Sequence, residues 1–232
     1  MYILSIETAT NVCSVAVSEN EDVIFEKINT EGPSHAALLG VFVQEALAFL
    51  KDTNRTLDAV AVSSGPGSYT GLRIGVSEAK GLCYGLDIPL IAVDTLKVMA
   101  MTALLHADVP ADALLCPMID ARRMEVYAEI FDSRLQVVRP VAADIVDENT
   151  YAAYLEKGCM VFFGNGAGKC KANIVHPRAV FLTDIFPAAS QMAKLAMDAY
   201  RNRDFVDVAY YEPFYLKEFV ATIAKNKVLG AQ

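Results

Sequence analysis

Few side chains in this sequence have the types and spacing that chemistry needs. Two polar turns come nearest. Glu7-Thr8-Ala9-Thr10 and Asp120-Ala121-Arg122-Arg123 each set one carboxylate among small or polar neighbours. Backbone amides and small hydroxyls in such turns suit a phosphate, and a carboxylate suits Mg²⁺. Glu7 and Asp120 would equally serve to close tight turns, since one acidic residue per turn is common.

The remaining chemical patterns are near misses. Ser68 in Gly67-Ser68-Tyr69 lacks the nucleophile elbow, because Pro66 stands where its first glycine belongs. Gly65 and Gly67 lack the third glycine of a dinucleotide fingerprint, its place being taken by Thr70. Gly168-Lys169-Cys170 imitates the end of a phosphate-binding loop, with Phe163 at the first glycine position and Cys170 where a hydroxyl should be. The only histidines are His35, His106 and His176, and no two are spaced to share a metal on one helix. His35 falls at a helix start and His106 near a helix end. Residue chemistry therefore points to no catalytic residue and no metal site.

Bulk properties narrow the field. The 232 residues can bury a sizeable core. Apolar residues make up 54% and mean hydropathy is +0.31, which fits either surface reserved for a partner or a core-heavy α/β protein. No uninterrupted apolar run reaches the ~18 residues that span a bilayer. The first residues lack a basic region and meet Glu7 at once, so a cytoplasmic protein without signal peptide is expected. Five scattered cysteines with no C-x-x-C spacing argue for reduced thiols. Net charge is −8 and the isoelectric point about 4.9, the reverse of the basic footprint of a protein that grips nucleic acid unaided.

Periodicity predicts strands at 2–6, 12–18 and 23–28, a helix from Ser34 to Lys51 with Pro33 and Ser34 as start signals, and a strand over 57–63. A helix over 70–86, a strand at 90–93 and a helix at 95–106 follow. The order then repeats: strands at 114–119, 126–131 and 135–138, a short helix over 150–156, and a strand at 160–163. The glycine turn Gly164-Asn165-Gly166-Ala167-Gly168, a short strand at 180–181 and a helix over 188–201 complete it. Two successive β-β-β-α-β-α-β-α units predict a duplicated α/β fold, each half a mixed sheet flanked by helices. The divisions are 1–106 for a first lobe, 107–205 for a smaller second lobe, and 206–232 for a tail with little periodicity.

Gly65-Pro66-Gly67-Ser68-Tyr69-Thr70-Gly71-Leu72-Arg73-Ile74-Gly75 organises the first lobe. Gly71, Gly75 and Ala79 recur every four residues, giving one bare stripe along a helix. A helical glycine costs about 1 kcal/mol against alanine, so Gly71, Gly75, Gly81 and Gly85 need a reason. Close packing of a partner helix is one, and packing on the protein's own sheet is another.

The meander-plus-crossover pattern resembles the actin-like, sugar-kinase and Hsp70 ATPase superfamily, the ASKHA or RNase H-like duplicated fold. That superfamily places both hairpin turns near nucleotide phosphates and a glycine turn near the adenosine, which makes Glu7, Thr8, Asp120, Gly164 and Gly166 candidate contacts. Ile6–Thr10, Gly65–Gly75, Asp120–Tyr127 and Pro213-Phe214-Tyr215-Leu216-Lys217, in that order, further resemble the TsaB (YeaZ) family. Met124 departs from the pattern, where a small residue such as glycine is expected.

The resemblance implies a non-catalytic subunit that binds and activates the catalytic paralogue TsaD, works with the ATPase TsaE, and meets tRNA only through the complex. The product would be threonylcarbamoyladenosine beside the anticodon. It implies no intrinsic cofactor, with ATP and Mg²⁺ entering only at the level of the complex. The paralogue carries H-x-x-x-H where this chain has Thr95 and Met99. The helix pair 34–51 and 70–86 would form the partner interface, with Val41, Glu45, Ala48, Gly71, Gly75 and Ala79 as contributors. The same surface would make a homodimer of the isolated chain. On this reading Gly75→Leu should abolish both pairings and leave a folded monomer. The alternatives are a self-sufficient ATPase or phosphotransferase of the same fold and, less supported, a metal-dependent peptidase.

Overall fold

Two five-stranded mixed sheets are built to one plan. The computed structural model describes residues 1–32 and 34–217. Pro33, expected to help start a helix, and tail residues 218–232 lie outside the described residues. Strands β1 (Tyr2–Glu7), β2 (Cys13–Glu19), β3 (Asp22–Asn29), β4 (Ala59–Ser63) and β5 (Leu90–Val93) form the first sheet in the order β3-β2-β1-β4-β5. Strands β6 (Leu114–Asp120), β7 (Glu125–Phe131), β8 (Val137–Ile145), β9 (Met160–Phe163) and β10 (Ala179–Phe181) form the second, in the order β10-β9-β6-β7-β8. Each half thus arranges its own strands third, second, first, fourth, fifth. The first three are antiparallel, and the last two join in parallel through crossovers. The duplicated two-lobe fold read from the sequence is the one observed.

The helices are α1 (His35–Asp52), α2 (Tyr69–Leu86), α3 (Thr95–His106), α4 (Ala152–Leu155), α5 (Ala167–Cys170) and α6 (Ala193–Arg201). Strand alternation decides what covers each face. Leu4, Ile6, Val60 and Val62 point to one side of the first sheet, where Leu39, Val43, Ala46 and Leu50 of α1 and Val76, Ala79 and Cys83 of α2 cover them. A fully buried Leu or Val contributes about 1.5–3 kcal/mol, far above the few tenths separating most residues in helix propensity. Packing therefore decides that these helices form. Ile3, Ala59, Ala61 and Ile91 point to the other side, onto Met192, Ala196 and Met197 at and around α6.

The second sheet reverses the exchange. Leu115, Ile119, Phe131, Val161 and Phe163 pack on Leu96, Met99, Ala100 and Ala103 of α3, a helix from the first half. Its other face meets the short α4 and α5 through Tyr151, Leu155, Ala167 and Cys170. Helices α3 and α6 lie between the two sheets, each covering the sheet of the opposite half, and Val98 of α3 also packs on the first sheet. No helix among the described residues is long and apolar enough to cross a membrane. All five cysteines are free thiols, four of them buried.

Some sequence boundaries need correction. The strand expected at 135–138 runs Val137–Ile145, and Leu135 sits in the preceding turn with φ 60°. Arg139-Pro140 hid the continuation by breaking the apolar alternation. Proline is tolerated there because β8 is an edge strand whose register shifts nearby. The glycine turn 164–168 closes into α5, which periodicity could not reveal in so short a piece. The helix expected over 188–201 is a 3-10 turn, Ala189–Met192, followed by α6. Residues 206–217 return across the first lobe: Val206 bridges Leu90, and the Phe214 N–H donates to the Ser64 carbonyl at 2.7 Å.

Candidate functional site

The signature loop is built around the first hairpin turn. Strand β4 ends at Ser63, and Gly65, at φ 107°, exchanges hydrogen bonds with Thr95: its N–H donates to Oγ1 at 3.1 Å and its carbonyl accepts from the Thr95 N–H at 3.1 Å. Ser68 starts α2 by accepting from the Gly71 N–H at 3.2 Å. Its own N–H donates to the Ala9 carbonyl at 2.7 Å, tying the turn after β1 onto the loop.

That contact explains the bare stripe. A Cβ on Gly67 would overlap the Ala9 carbonyl oxygen, one on Gly71 the Thr8 carbonyl oxygen, and one on Gly75 the Thr8 hydroxyl. Ala79 is fully buried in the core of the first lobe. The expectation that Gly71, Gly75 and Ala79 present an open surface to a partner is overturned: the chain's own first turn and sheet cover them.

Glu7 lies beneath this turn, fully buried. Its Oε1 accepts from the Ala9 N–H at 2.5 Å and from the Ser63 hydroxyl at 3.2 Å, while Oε2 and the Thr8 hydroxyl have no partner among the described residues. Burial pushes its pKa up to about 7, against the opposing pull of the hydrogen bonds from Ala9 and Ser63.

Asp120, Gly164 and Gly166 come together at the corresponding turn of the second lobe. Asp120 is the exposed member. It pairs with Lys169, accepts from the Arg122 N–H at 2.8 Å, and its own N–H donates to Asn165 Oδ1 at 3.0 Å. Partial burial would raise its pKa, but the Lys169 and Arg122 hydrogen bonds outweigh it and hold the carboxyl below its ordinary value. Gly164, at φ 95°, lies against the methyl end of Met99 and the Met118 carbonyl, and Gly166 against the backbone of Ile119 and Asp120. Among the described residues no hydrogen bond or ion pair joins Glu7 or Thr8 to these three.

A magnesium nucleotide finds a poor fit here: the first carboxylate faces inward, the second is paired with lysine, and the glycines are already in contact. At the two positions where the resemblance would place metal-binding histidines, Thr95 is bonded to Gly65 and Met99 is packed in the core. No cluster of three His, Cys, Asp or Glu side chains suited to a metal occurs among the described residues.

The hairpin turn shows what Met124 does. Positive φ falls on Arg122 (71°) and Arg123 (48°), leaving Met124 an ordinary conformation with its carbonyl accepting from the Val146 N–H at 2.9 Å. The left-handed region is unfavourable for arginine and is visited more readily by Asn and Gly. Replacing Arg122-Arg123 by Asn-Gly should stabilise the protein by about 1–2 kcal/mol. Urea unfolding reads this directly, and an unchanged midpoint would mean that the arginine side chains recover the strain.

The open surface lies on the outer faces of α1 and α2. Val41 and Ala48 are exposed, and Glu45 is half-exposed in an ion pair with Lys27 at 2.7 Å. A Cβ added at Gly40, Gly81 or Gly85 would meet nothing within 4 Å among the described residues. Beside them Tyr84 is 87% exposed and Leu86 50%. Sequence reasoning missed Gly40 and Tyr84. The spacing Ser77-Gly81-Gly85 was a legible signal, a second four-residue stripe on α2 turned away from Leu72, Val76 and Cys83.

The comparisons with known proteins agree with this architecture. The family model described as TsaD, tRNA N6-adenosine threonylcarbamoyltransferase, matches residues 29–225. The tRNA threonylcarbamoyladenosine biosynthesis protein TsaB of Escherichia coli (strain K12) is 31% identical over 237 residues, covering 95% of this chain and 96% of the relative. TsaB of Bacillus subtilis (strain 168) is 34% identical over 144 residues, a stretch covering 62% of this chain and 61% of the relative. In the solved structures, YeaZ from Pseudomonas aeruginosa superposes with a TM-score of 0.78 at 24% identity, covering 93% of this chain and 99% of that one. With a full-length relative at this identity and the signature loop wrapped around the first turn, the chain belongs to the TsaB (YeaZ) family.

Proposed function

We propose that this chain works in tRNA threonylcarbamoyladenosine biosynthesis as a non-catalytic subunit, holding a TsaD-type catalytic paralogue in its active arrangement through the outer faces of α1 and α2. The observation that carries this reading is the open glycine face: Gly40, Gly81 and Gly85 lie on two long helices with nothing beside them. A glycine there loses about 1 kcal/mol of helix stability against alanine, a cost with no return until another backbone approaches closely. The small residues Ala48 and Val41 continue the same surface. Family membership supports the pathway, and the match to the TsaD model supports a paralogous partner of similar fold. In the absence of that partner, the face would pair with a second copy, so the two pairings exclude each other. TsaE-type ATPase and tRNA would join only the assembled complex, as would ATP and Mg²⁺.

Gly81→Leu should fold normally, since its side chain enters open space, yet fail to co-elute with the TsaD-type subunit and remain monomeric in light scattering. A Gly81→Leu, Gly40→Leu double variant that still forms the complex at parental affinity would overturn the surface. Turnover of Mg-ATP by the isolated chain, abolished by Glu7→Gln, would overturn the non-catalytic assignment.

A further inference from the structure

Next to the glycine face, α2 turns a row of a different character outward: Arg73, Ser77, Lys80 and Tyr84, spaced four, three and four residues apart. Residues 206–217 run alongside it. Lys80 Nζ fastens them by donating to the carbonyls of Ala209 at 3.1 Å and Tyr211 at 3.0 Å, and the Tyr215 ring packs on Tyr69 with centroids 4.8 Å apart. Between strap and helix lies a cavity of about 160 Å³ lined by Arg73, Ser77, Lys80, Tyr211, Glu212 and Tyr215.

The Arg73 guanidinium sits over the Tyr69 ring, 4.5 Å from its centroid, and the tilted Tyr215 ring packs on the same tyrosine. A stacked guanidinium keeps its in-plane N–H fork free for a planar, bidentate acceptor. Among the described residues no carboxylate pairs with Arg73 or Lys80, although the chain carries 28 acids to 20 lysines and arginines. Glu212 lines the cavity and pairs with neither. Two cations and one carboxylate leave a single positive charge uncompensated, which matches a monoanion better than a doubly charged phosphate.

We propose that this cavity is the specificity pocket of the partner surface, receiving one aspartate or glutamate side chain from the TsaD-type subunit as its helices pack on α2. Arg73 donates the bidentate pair, and Lys80, held by the strap, supplies fixed charge. The pocket adjoins Ser77 and Tyr84 on the same helix face, so it extends the proposed interface, and it rests on that reading.

The test is calorimetric titration of the TsaD-type subunit into the full chain at low and high salt, with Arg73→Gln and Arg73→Lys beside the parent. Arg73→Gln should weaken binding about 10- to 100-fold and flatten its salt dependence. Arg73→Lys, which keeps the charge and loses the fork, should fall between. Unchanged thermal melts establish that both variants fold. Arg73→Gln within twofold of the parent would overturn the pocket. If Gly81→Leu breaks the complex and Arg73→Gln does not, the interface stands and the pocket falls. If the parent itself does not bind, both fall. Titration with inorganic phosphate and with tRNA covers the remaining occupants: binding lost in Arg73→Gln while subunit affinity is unchanged also overturns it.

Discussion

Alanine at Gly71 is expected to destabilise the protein by at least about 2 kcal/mol, while alanine at Gly81 in the same helix is expected to stabilise it by about 1 kcal/mol. At position 71 the new methyl overlaps a backbone oxygen, that of Thr8, and the turn carrying it is tied to the loop by the Ser68–Ala9 hydrogen bond. Overpacking of this kind typically costs about 1–3 kcal/mol, occasionally more, and here no flexible side chain can give way. At position 81 there is nothing to displace, and only the propensity gain remains. Gly75→Ala should fall between the two, because its first obstacle is the Thr8 hydroxyl. Gly75→Leu should then yield unfolded protein rather than the folded monomer the sequence suggested. Urea midpoints of the alanine variants decide the matter, and equal midpoints would mean that the first turn does not rest on α2.

Glu7→Gln should remove a pH dependence that the parent shows between about pH 4.5 and 7. The folded carboxyl titrates near 7 because it is buried, against an ordinary value of 4.5. The folded state therefore binds a proton that the unfolded chain has already lost in this window, and stability falls as pH rises. The contribution is fully present below about pH 4.5 and is gone once pH passes through about 7. At 1.36 kcal/mol per pKa unit, the parent should lose about 3 kcal/mol relative to Glu7→Gln between pH 4.5 and 8. The neighbouring Cys13 thiol is raised to about 11, by burial first and by the Glu7 charge second, and so stays protonated throughout. Unfolding curves of the two proteins that remain parallel from pH 4.5 to 8 would show that Glu7 is not buried as described.

Most of the first lobe was legible because its elements are long and their signals local. Strand 90–93 and helix 95–106 coincide with β5 and α3, and helix 70–86 begins one residue late. In the second lobe, α4 and α5 have four residues each, too few for a helical period to stand out. The site was harder to read for a different reason. Gly71 and Gly75 look alike whether a partner or the chain's own turn covers them, and what distinguishes them is Thr8, far away in sequence. A clue was present: on a helical wheel Gly81 lies about 160° from Ala79, so those two residues could not both face the core. Arg73 was quoted as part of the signature without a role, because its meaning depends on Tyr215 returning over α2.

Helices α3 and α6, each resting on the other half's sheet, tie the two halves together through both cores. Opening and closing around a bound molecule requires a seam along which two bodies can part. Here any such seam would cut through Leu96 and Met99 seated among Leu115 and Phe163, and through Ala196 and Met197 seated under Ile3 and Ile91. Parting the halves would therefore expose apolar surface from both cores at once, at about 25 cal/mol for each Å² uncovered.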